Sequence, residues 1–226
     1  MEMSGRQIQK IRCPGCGKEH DFAIWNSINT ALEPELKDKV MNGSLFRTVC
    51  PHCGQAIDVV YPCLYHQVEE KRMIYYAPGE EAVKEAQAAF SEGIADPAGE
   101  DMTGGSGYVN RVVGSLFDLQ EKVSIFDAGL DDRAVEICKV LIGSELQDTQ
   151  PDAVFDDLLY YHVPDMGGRL ALMREGSMFA SVALPDDVYR EVVMRYRPLL
   201  DATGDDTVID MEWVMKSVEK FSGGGN

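Results

Sequence analysis

The chain has 226 residues, of which 45% are apolar and 26% are charged, the composition of a folded protein with one large or two small cores. No stretch approaches the roughly 18 uninterrupted apolar residues of a membrane span, so we expect no membrane segment. The net charge of −17 belongs entirely to residues 77–226, which carry 29 acidic and 12 basic residues, whereas residues 1–76 carry nine of each. Because surfaces that bind phosphates along a strand usually need clustered Lys and Arg, this balance argues against a nucleic-acid binder.

Two loops with the same pattern, Cys-Pro-x-Cys-Gly, lie near the start of the chain. They are Cys13–Gly17 and Cys50–Gly54. A tetrahedral metal needs four sulfurs at about 2.3 Å from one point, and each Cys-x-x-Cys turn presents two of them on one tight loop. The Pro presets the backbone after the first Cys, and the Gly permits the positive φ with which the loop turns away. The sequence therefore predicts one metal site with four ligands: Cys13, Cys16, Cys50 and Cys53.

Two questions follow from the predicted site: whether the thiols are reduced, which depends on the compartment, and which metal they bind. Residues 1–12 are polar and alternating rather than basic and apolar, so no signal segment is predicted. We therefore expect a cytoplasmic protein with reduced thiols, which argues against disulfides and against a thioredoxin-like redox pair. Zinc is the commoner structural occupant of four thiolates. Similar loops also hold iron in rubredoxin-like sites, so iron is the alternative.

The segments beside the two loops predict a zinc-ribbon-like β module, in which hairpins carry the ligands and the metal replaces part of a small core. Four short strands are predicted: Gln7–Cys13, His20–Trp25, Leu45–Cys50 and Gln55–Tyr61. The spacer between the loops has room for a short inserted helix, Glu35–Asn42, which Gly43 ends. Lys71–Ala77 can add a further strand, and Ala82–Ser91 has the composition of a helix.

A segment rich in Gly and Pro, residues 96–107, separates this module from a second, acidic part of the chain. Apolar positions over Val109–Phe126 predict a helix that ends at Gly129, and a second helix over Asp131–Leu146 completes a helical hairpin. A change to alternating patterns then predicts an antiparallel three-strand meander followed by two amphipathic helices. These elements are Leu158–Val163, Arg169–Arg174, Met178–Leu184, a helix opened by Pro185, and Met211–Phe221.

The fold class and the domain organisation follow from these elements. We predict an α+β protein with two domains joined by a linker. Its parts are a zinc-ribbon-like domain (1–95), a Gly- and Pro-rich linker (96–107), an acidic α+β domain (108–221) and a disordered tail (222–226).

From Arg12 to Pro78 the chain resembles the CpXC domain of bacteria and archaea, a family named for its two Cys-Pro-x-Cys motifs. Beyond the motifs the resemblance rests on five segments, the last of which matches more loosely: Trp25–Asn29, Pro34–Lys37, Gly43–Phe46, Tyr61–His66 and Phe126–Arg133. All four family cysteines have counterparts here, at 13, 16, 50 and 53. The resemblance implies a zinc-binding module in a bacterial protein, and the family brings no established activity that could be transferred.

No catalytic or cofactor-binding residue is predicted. A catalytic zinc keeps one coordination position open, whereas four thiolates close the site. Cys63 and Cys138 lie among apolar residues and are interpreted as core residues, and no third group can be assigned to a pair of Cys63 with His66. The run Asp201–Glu212 resembles a calcium loop in part, but Asp206 stands where such a loop needs Gly, so we interpret the run as a solvated acidic loop.

Three functions fit these features, and the metal site is common to all of them. We favour a non-catalytic interaction or adaptor protein whose metal module supports binding to a macromolecule, expected to be another protein. The first alternative is a nucleic-acid-associated zinc ribbon, because four basic residues cluster near the first loop: Arg6, Lys10, Arg12 and Lys18. The second alternative is an enzyme with an unrecognised site in the acidic domain. The sequence predicts no oligomeric state.

Overall fold

The computed structural model describes residues 4–91 and 107–223. Helices and strands are mixed along these residues, which confirms the predicted α+β class. By its internal contacts the chain divides into two compact units, Met1–Leu119 and Gln120–Asn226. The predicted linker (96–107) and the predicted disordered tail (222–226) fall largely outside the described residues, so the predicted domain boundaries stay predictions. None of the described helices combines the length and the apolar character that a membrane span requires.

Within the described residues, the first unit is built from two hairpins, a four-stranded sheet and two short helices. Its strands are β1 (Arg6–Arg12), β2 (Glu19–Trp25), β3 (Ser27–Asn29), β4 (Arg47–Val49), β5 (Ala56–Asp58), β6 (Cys63–Gln67), β7 (Arg72–Tyr76) and β8 (Val109–Val113). Its helices are α1 (Glu35–Met41) and α2 (Glu80–Ser91). β1 pairs with β2 and β4 pairs with β5, both antiparallel, so each Cys-Pro-x-Cys loop joins the two strands of a hairpin.

The predicted hairpins are confirmed, with one difference in length. The strands beside the first loop are observed as β1 and β2, each within one residue of its predicted ends. The strands beside the second loop are shorter than predicted. Gly43 has a φ of 73°, and Ser44–Phe46 form a 3-10 turn before β4 begins. The inserted helix is observed as α1.

The four-stranded sheet has the order β3-β6-β7-β8, with β6 and β7 antiparallel and both outer pairs parallel. The predicted strand over Lys71–Ala77 is confirmed as β7, whereas β3 and β6 were not predicted. The predicted helix over Val109–Phe126 is wrong at its start, because Val109–Val113 forms strand β8. Three of these five residues are Val, whose β-branched side chains favour a strand, and β7 supplies the parallel partner.

Helix α3 (Leu116–Asp127) begins where the sequence supplies a reciprocal cap. The hydroxyl of Ser115 accepts from the N–H of Asp118, and the carboxylate of Asp118 accepts from the N–H of Ser115, both at 3.1 Å. This pair satisfies backbone donors that a helix start leaves free. The helix ends before Gly129, whose φ is 70°, as the sequence predicts.

Four buried aromatic rings form a cluster in the first unit: Phe22, Phe46, Tyr61 and Tyr76. The ring centroid of Phe46 lies 4.8 Å from that of Tyr61 and 5.5 Å from that of Tyr76, and Phe22 lies 6.2 Å from Tyr61. The Tyr61 hydroxyl donates to the carbonyl of Leu45 at 3.0 Å, so its polar end is satisfied. The cluster joins β2 of the first hairpin, the turn before β4, and β7 of the sheet.

Beyond the C-terminal part of α3, the described residues of the second unit form three strands and four helices. These are α4 (Asp132–Thr149), β9 (Asp157–Val163), β10 (Gly167–Arg174), β11 (Ser177–Ala183), α5 (Asp186–Arg195), α6 (Arg197–Ala202) and α7 (Met211–Gly223). The strands pair antiparallel in the order β11-β10-β9, which confirms the predicted meander. The second helix of the predicted hairpin is confirmed as α4, and the two C-terminal helices as α5 and α7. The short helix α6 was not predicted.

The core of the second unit is one apolar cluster to which the strands β9 and β10 and all of its helices contribute. Ile125, Ile137 and Leu170 are at most 2% exposed within it. The start of α4 is fixed by Asp131, whose carboxylate accepts from the N–H of Arg133 at 3.0 Å. The cluster satisfies the apolar faces that the sequence pattern assigns to these elements.

Candidate metal centre

The two Cys-Pro-x-Cys loops share one backbone conformation. In the first loop the N–H of Gly17 donates to the carbonyl of Cys13 at 2.9 Å, and in the second the N–H of Gly54 donates to the carbonyl of Cys50 at the same distance. Both glycines have a positive φ, 71° and 76°, which side chains with a Cβ rarely adopt. The repeated sequence motif is therefore a repeated geometry, and each copy directs two sulfurs to one side of its loop.

The four sulfurs of the two loops meet at one place. Cys13 Sγ lies 3.6 Å from Cys53 Sγ, Cys16 Sγ lies 3.7 Å from Cys50 Sγ, and all four lie within 4.8 Å of one another. These distances are too long for a disulfide bond, and all four cysteines are free. A tetrahedral metal with sulfurs at about 2.3 Å requires sulfurs about 3.8 Å apart. The four cysteines that the sequence predicts as ligands therefore could hold one metal ion.

The surroundings of the sulfurs favour a negative charge at one of them. The backbone N–H of Cys16, helped by that of Gly15, lowers the pKa of Cys13 to about 6, because these donors stabilise a thiolate. The pKa of Cys53 is raised to about 12: the N–H of Gln55 lowers it, but the neighbouring sulfurs, above all that of Cys13, raise it further because they accept negative charge poorly side by side. Four adjacent sulfurs cannot all be ionised without a cation among them, and a bound divalent metal would supply that positive charge.

The burial of the sulfurs is uneven. Cys13 and Cys50, which open the two loops, are 1% exposed, whereas Cys16 and Cys53 are exposed. The inner pair lies at the ends of strands β1 and β4, where the hairpins hold it. The outer pair lies on the solvent side of the loops, so the cluster is at the surface of the first unit and a metal ion could enter from that side.

A contact between the two loops was not predicted from the sequence. A Cβ on Gly15 would lie 1.8 Å from Oε1 of Gln55, so the side chain that follows the second loop occupies the space a larger residue would take in the first. Arg12 Nε donates to the carbonyl of Gly17 at 3.1 Å and braces the first loop from its own strand. The x position of the Cys-Pro-x-Cys motif therefore has room only for Gly in the first loop, where it is Gly15. In the second loop the same position is His52.

The other residues considered in the sequence do not join this cluster. Within residues 4–91 and 107–223, the four cysteines are the set of Cys, His, Asp and Glu side chains close enough to hold a metal. Cys63 and Cys138 are fully buried, and burial raises the pKa of each to about 12, so both are neutral thiols. His66 Nε2 lies 3.2 Å from the Tyr108 hydroxyl. Glu212 of the calcium-like run forms an ion pair with Lys216.

Replacing Gly54 by Ala should weaken the second loop through its backbone alone. A Cβ at Gly54 meets no atom within 4 Å, so the cost comes from the positive φ and amounts to roughly 1–2 kcal/mol of unfolding free energy for the first unit. Denaturant unfolding followed by Trp25 fluorescence, in a Trp213→Phe background, measures it. Gly114→Ala in the same unit is the matched control, because the φ of Gly114 is not in the strained region and its Cβ would meet only a side-chain atom of Val83, at 3.4 Å. Equal stability of the two variants would contradict the strain argument.

Comparison with known proteins agrees with this geometry. A sequence profile described as CpXC protein matches residues 11–139, which is more than half of the chain and includes both loops. Comparisons with curated proteins and with solved structures gave no match. On the strength of the profile match, the chain belongs to the CpXC family.

Proposed function

We propose that Cys13, Cys16, Cys50 and Cys53 bind one zinc ion that holds the two hairpins of the first unit together. The observation that carries this proposal is the arrangement of the four sulfurs, two from each loop, with separations of 3.6 and 3.7 Å across the loops. Zinc accepts four thiolates in a tetrahedron without a redox change, which suits a cytoplasmic bacterial protein with reduced thiols. Iron is the alternative occupant, because the sulfur geometry of rubredoxin-like sites is similar.

The proposed zinc is structural rather than catalytic. Four thiolates fill a tetrahedral coordination shell, so no position is left for water or for a substrate. The hairpins around the site are small, with β4 and β5 of only three residues each, and such short strands have little core of their own. A metal bound between the loops supplies the cross-link that these strands need.

The module built in this way serves, in our proposal, to bind another macromolecule, and we favour a protein as the partner. Three of the four basic side chains near the first loop already have partners in the chain. Lys10 forms an ion pair with Asp21 at 3.0 Å, Arg12 donates to a carbonyl of its own loop, and Arg6 lies over the ring of Trp25 at 5.8 Å. A phosphate backbone would have to compete with these contacts, which favours a protein partner over a nucleic acid.

Metal removal tests the structural role. A strong chelator should release one zinc per chain and unfold the hairpins of the first unit, seen as a shift in Trp25 fluorescence in a Trp213→Phe background. Added zinc should restore the signal. Unchanged Trp25 fluorescence after complete metal removal would contradict a structural zinc.

The choice of partner has a separate test. A gel shift at low salt with DNA and with RNA should show no retardation, and a protein partner captured with the wild-type chain should be lost after chelation. Retardation that weakens steeply as the salt concentration rises would favour the nucleic-acid alternative instead.

A further inference from the structure

The second unit buries five charged side chains on α3 and α4: Glu121, Lys122, Asp132, Glu136 and Lys139. We call this set the buried ionic cluster. Its side chains are between 1% and 8% exposed. Charged residues are almost never buried to this degree without partners, and here the partners are one another. None of the five belongs to the metal centre.

The contacts form a chain of ion pairs. Lys122 Nζ lies 3.2 Å from a carboxylate oxygen of Asp132 and 3.0 Å from one of Glu136. Lys139 Nζ lies 3.0 Å from oxygens of both Glu121 and Glu136. Glu136 therefore joins the two lysines, while Asp132 and Glu121 stand at opposite ends. Glu121 also accepts a hydrogen bond at 2.6 Å from the backbone N–H of Tyr160 in β9.

The charges in the cluster do not balance. Within the cluster three carboxylates face two ammonium groups, so full ionisation leaves an excess of negative charge. Of the charged neighbours, Arg133 acts on Asp132 but forms its ion pair with Asp131, and Asp157 of β9 adds negative charge near Lys139. An uncompensated charge in a poorly solvated interior is unfavourable, and binding a proton removes it. The cluster in its neutral form therefore contains one proton more than its fully ionised form.

Glu121 is the carboxylate whose surroundings favour the proton. Glu136 contacts both lysines, and Asp132 pairs with Lys122 at the first turn of α4, where the helix favours negative charge. Glu121 contacts one lysine, Lys139, and Lys122 acts on it from farther away. Burial, together with the charge of Glu136, raises the pKa of Glu121 to about 7 against the opposing effect of Lys139, whereas the two lysines lower the pKa of Glu136 despite its burial.

We infer that the buried ionic cluster is a proton-binding site, in which one proton on Glu121 offsets the excess negative charge of the cluster and its release destabilises the second unit. The folded unit binds this proton more tightly than the unfolded chain does. Between the ordinary Glu value of 4.5 and about 7, unfolding therefore releases a proton. The stabilisation is present in full below this window and is lost as the pH rises through it.

Carbon NMR on the wild-type full-length chain tests the proton directly. The side-chain carboxyl carbon of Glu121 should titrate near pH 7, well above the ordinary Glu value of 4.5. A Glu121 carbon that titrates with the ordinary midpoint would overturn the inference.

Glu121→Gln tests the coupling to stability, because the amide keeps an oxygen for the Tyr160 N–H and cannot ionise. With Trp213 as reporter in a Trp25→Phe background, unfolding is measured from pH 5 to 8. The reference is the Trp25→Phe chain with Glu121 intact. Its unfolding constant should rise relative to that of the Glu121→Gln variant by about tenfold per pH unit between pH 5 and 7. Glu145→Gln, the matched control, should follow the reference. Parallel profiles for Glu121→Gln and the reference would refute the coupling, and if the variant does not fold, the wild-type carbon titration decides.

Discussion

Replacing Cys13 by Ser should abolish metal binding and unfold the hairpins of the first unit. Cys13 is 1% exposed, and its sulfur lies 3.6 Å from that of Cys53, so a Ser hydroxyl would stand inside the cluster as a poor ligand for zinc. With the cross-link lost, β4 and β5 have too few contacts to stay paired. Metal content by mass spectrometry should fall from one ion per chain to nearly none, and the Trp25 fluorescence should match that of the chelated protein.

Two other cysteines provide matched controls. Cys63→Ala and Cys138→Ala each remove a buried thiol outside the cluster, and both variants should keep one metal ion per chain. Their unfolding free energy should fall only by the cost of the small cavity that each lost sulfur leaves. A Cys13→Ser protein that stays folded and keeps its metal would contradict the four-ligand site, as would metal loss from either control.

Replacing Lys139 by Met should strongly destabilise the second unit. Met has a similar length but no charge, so Glu121 and Glu136 would lose their shared cation while both remain buried. Breaking a buried ion pair from one side costs about 3–5 kcal/mol, since the remaining charge is left without compensation. Urea unfolding at pH 7.5, followed by Trp213 in the Trp25→Phe background, measures the loss.

An exposed lysine serves as the control for the loss of a lysine as such. Lys216 pairs with Glu212 on the surface of α7, and Lys216→Met should leave the unfolding midpoint nearly unchanged. The double variant Lys139→Met with Glu121→Gln should recover part of the stability, because one unpaired carboxylate is then gone. A Lys139→Met protein as stable as Lys216→Met would show that the cluster does not contribute to stability.

The parts of the structure that depend on local sequence could be predicted. The two hairpins and α1 follow from the Cys-Pro-x-Cys-Gly motif, from short alternating segments and from Gly43, all of which act within a few residues. The meander over Asp157–Ala183 follows from turn residues such as Glu175 and Gly176, both of which have a positive φ. The four candidate ligands were predictable for the same reason, because the spacing within each loop fixes two sulfurs at a time.

The parts that depend on distant partners could not be predicted. Strand β3 has three residues and exists because β6, more than thirty positions later, pairs with it. Val109–Val113 fits the apolar spacing of a helix, and its three β-branched side chains decide for a strand only together with the pairing to β7. The buried ionic cluster was missed because Glu and Lys on a helix normally face solvent. The sequence did contain one indication of these buried charges. The apolar stripe of α3 is interrupted at Gln120, and Glu121 and Lys122 follow directly.

The most direct test of the metal centre is the metal content and the absorption spectrum of the untagged wild-type chain, purified from bacterial cells without added metal. The account predicts one zinc ion per chain and no visible absorption, because zinc has no d-electron transitions. A red protein with one iron per chain would contradict the choice of zinc. A metal-free chain with all four thiols reactive in the folded state would contradict the metal centre itself.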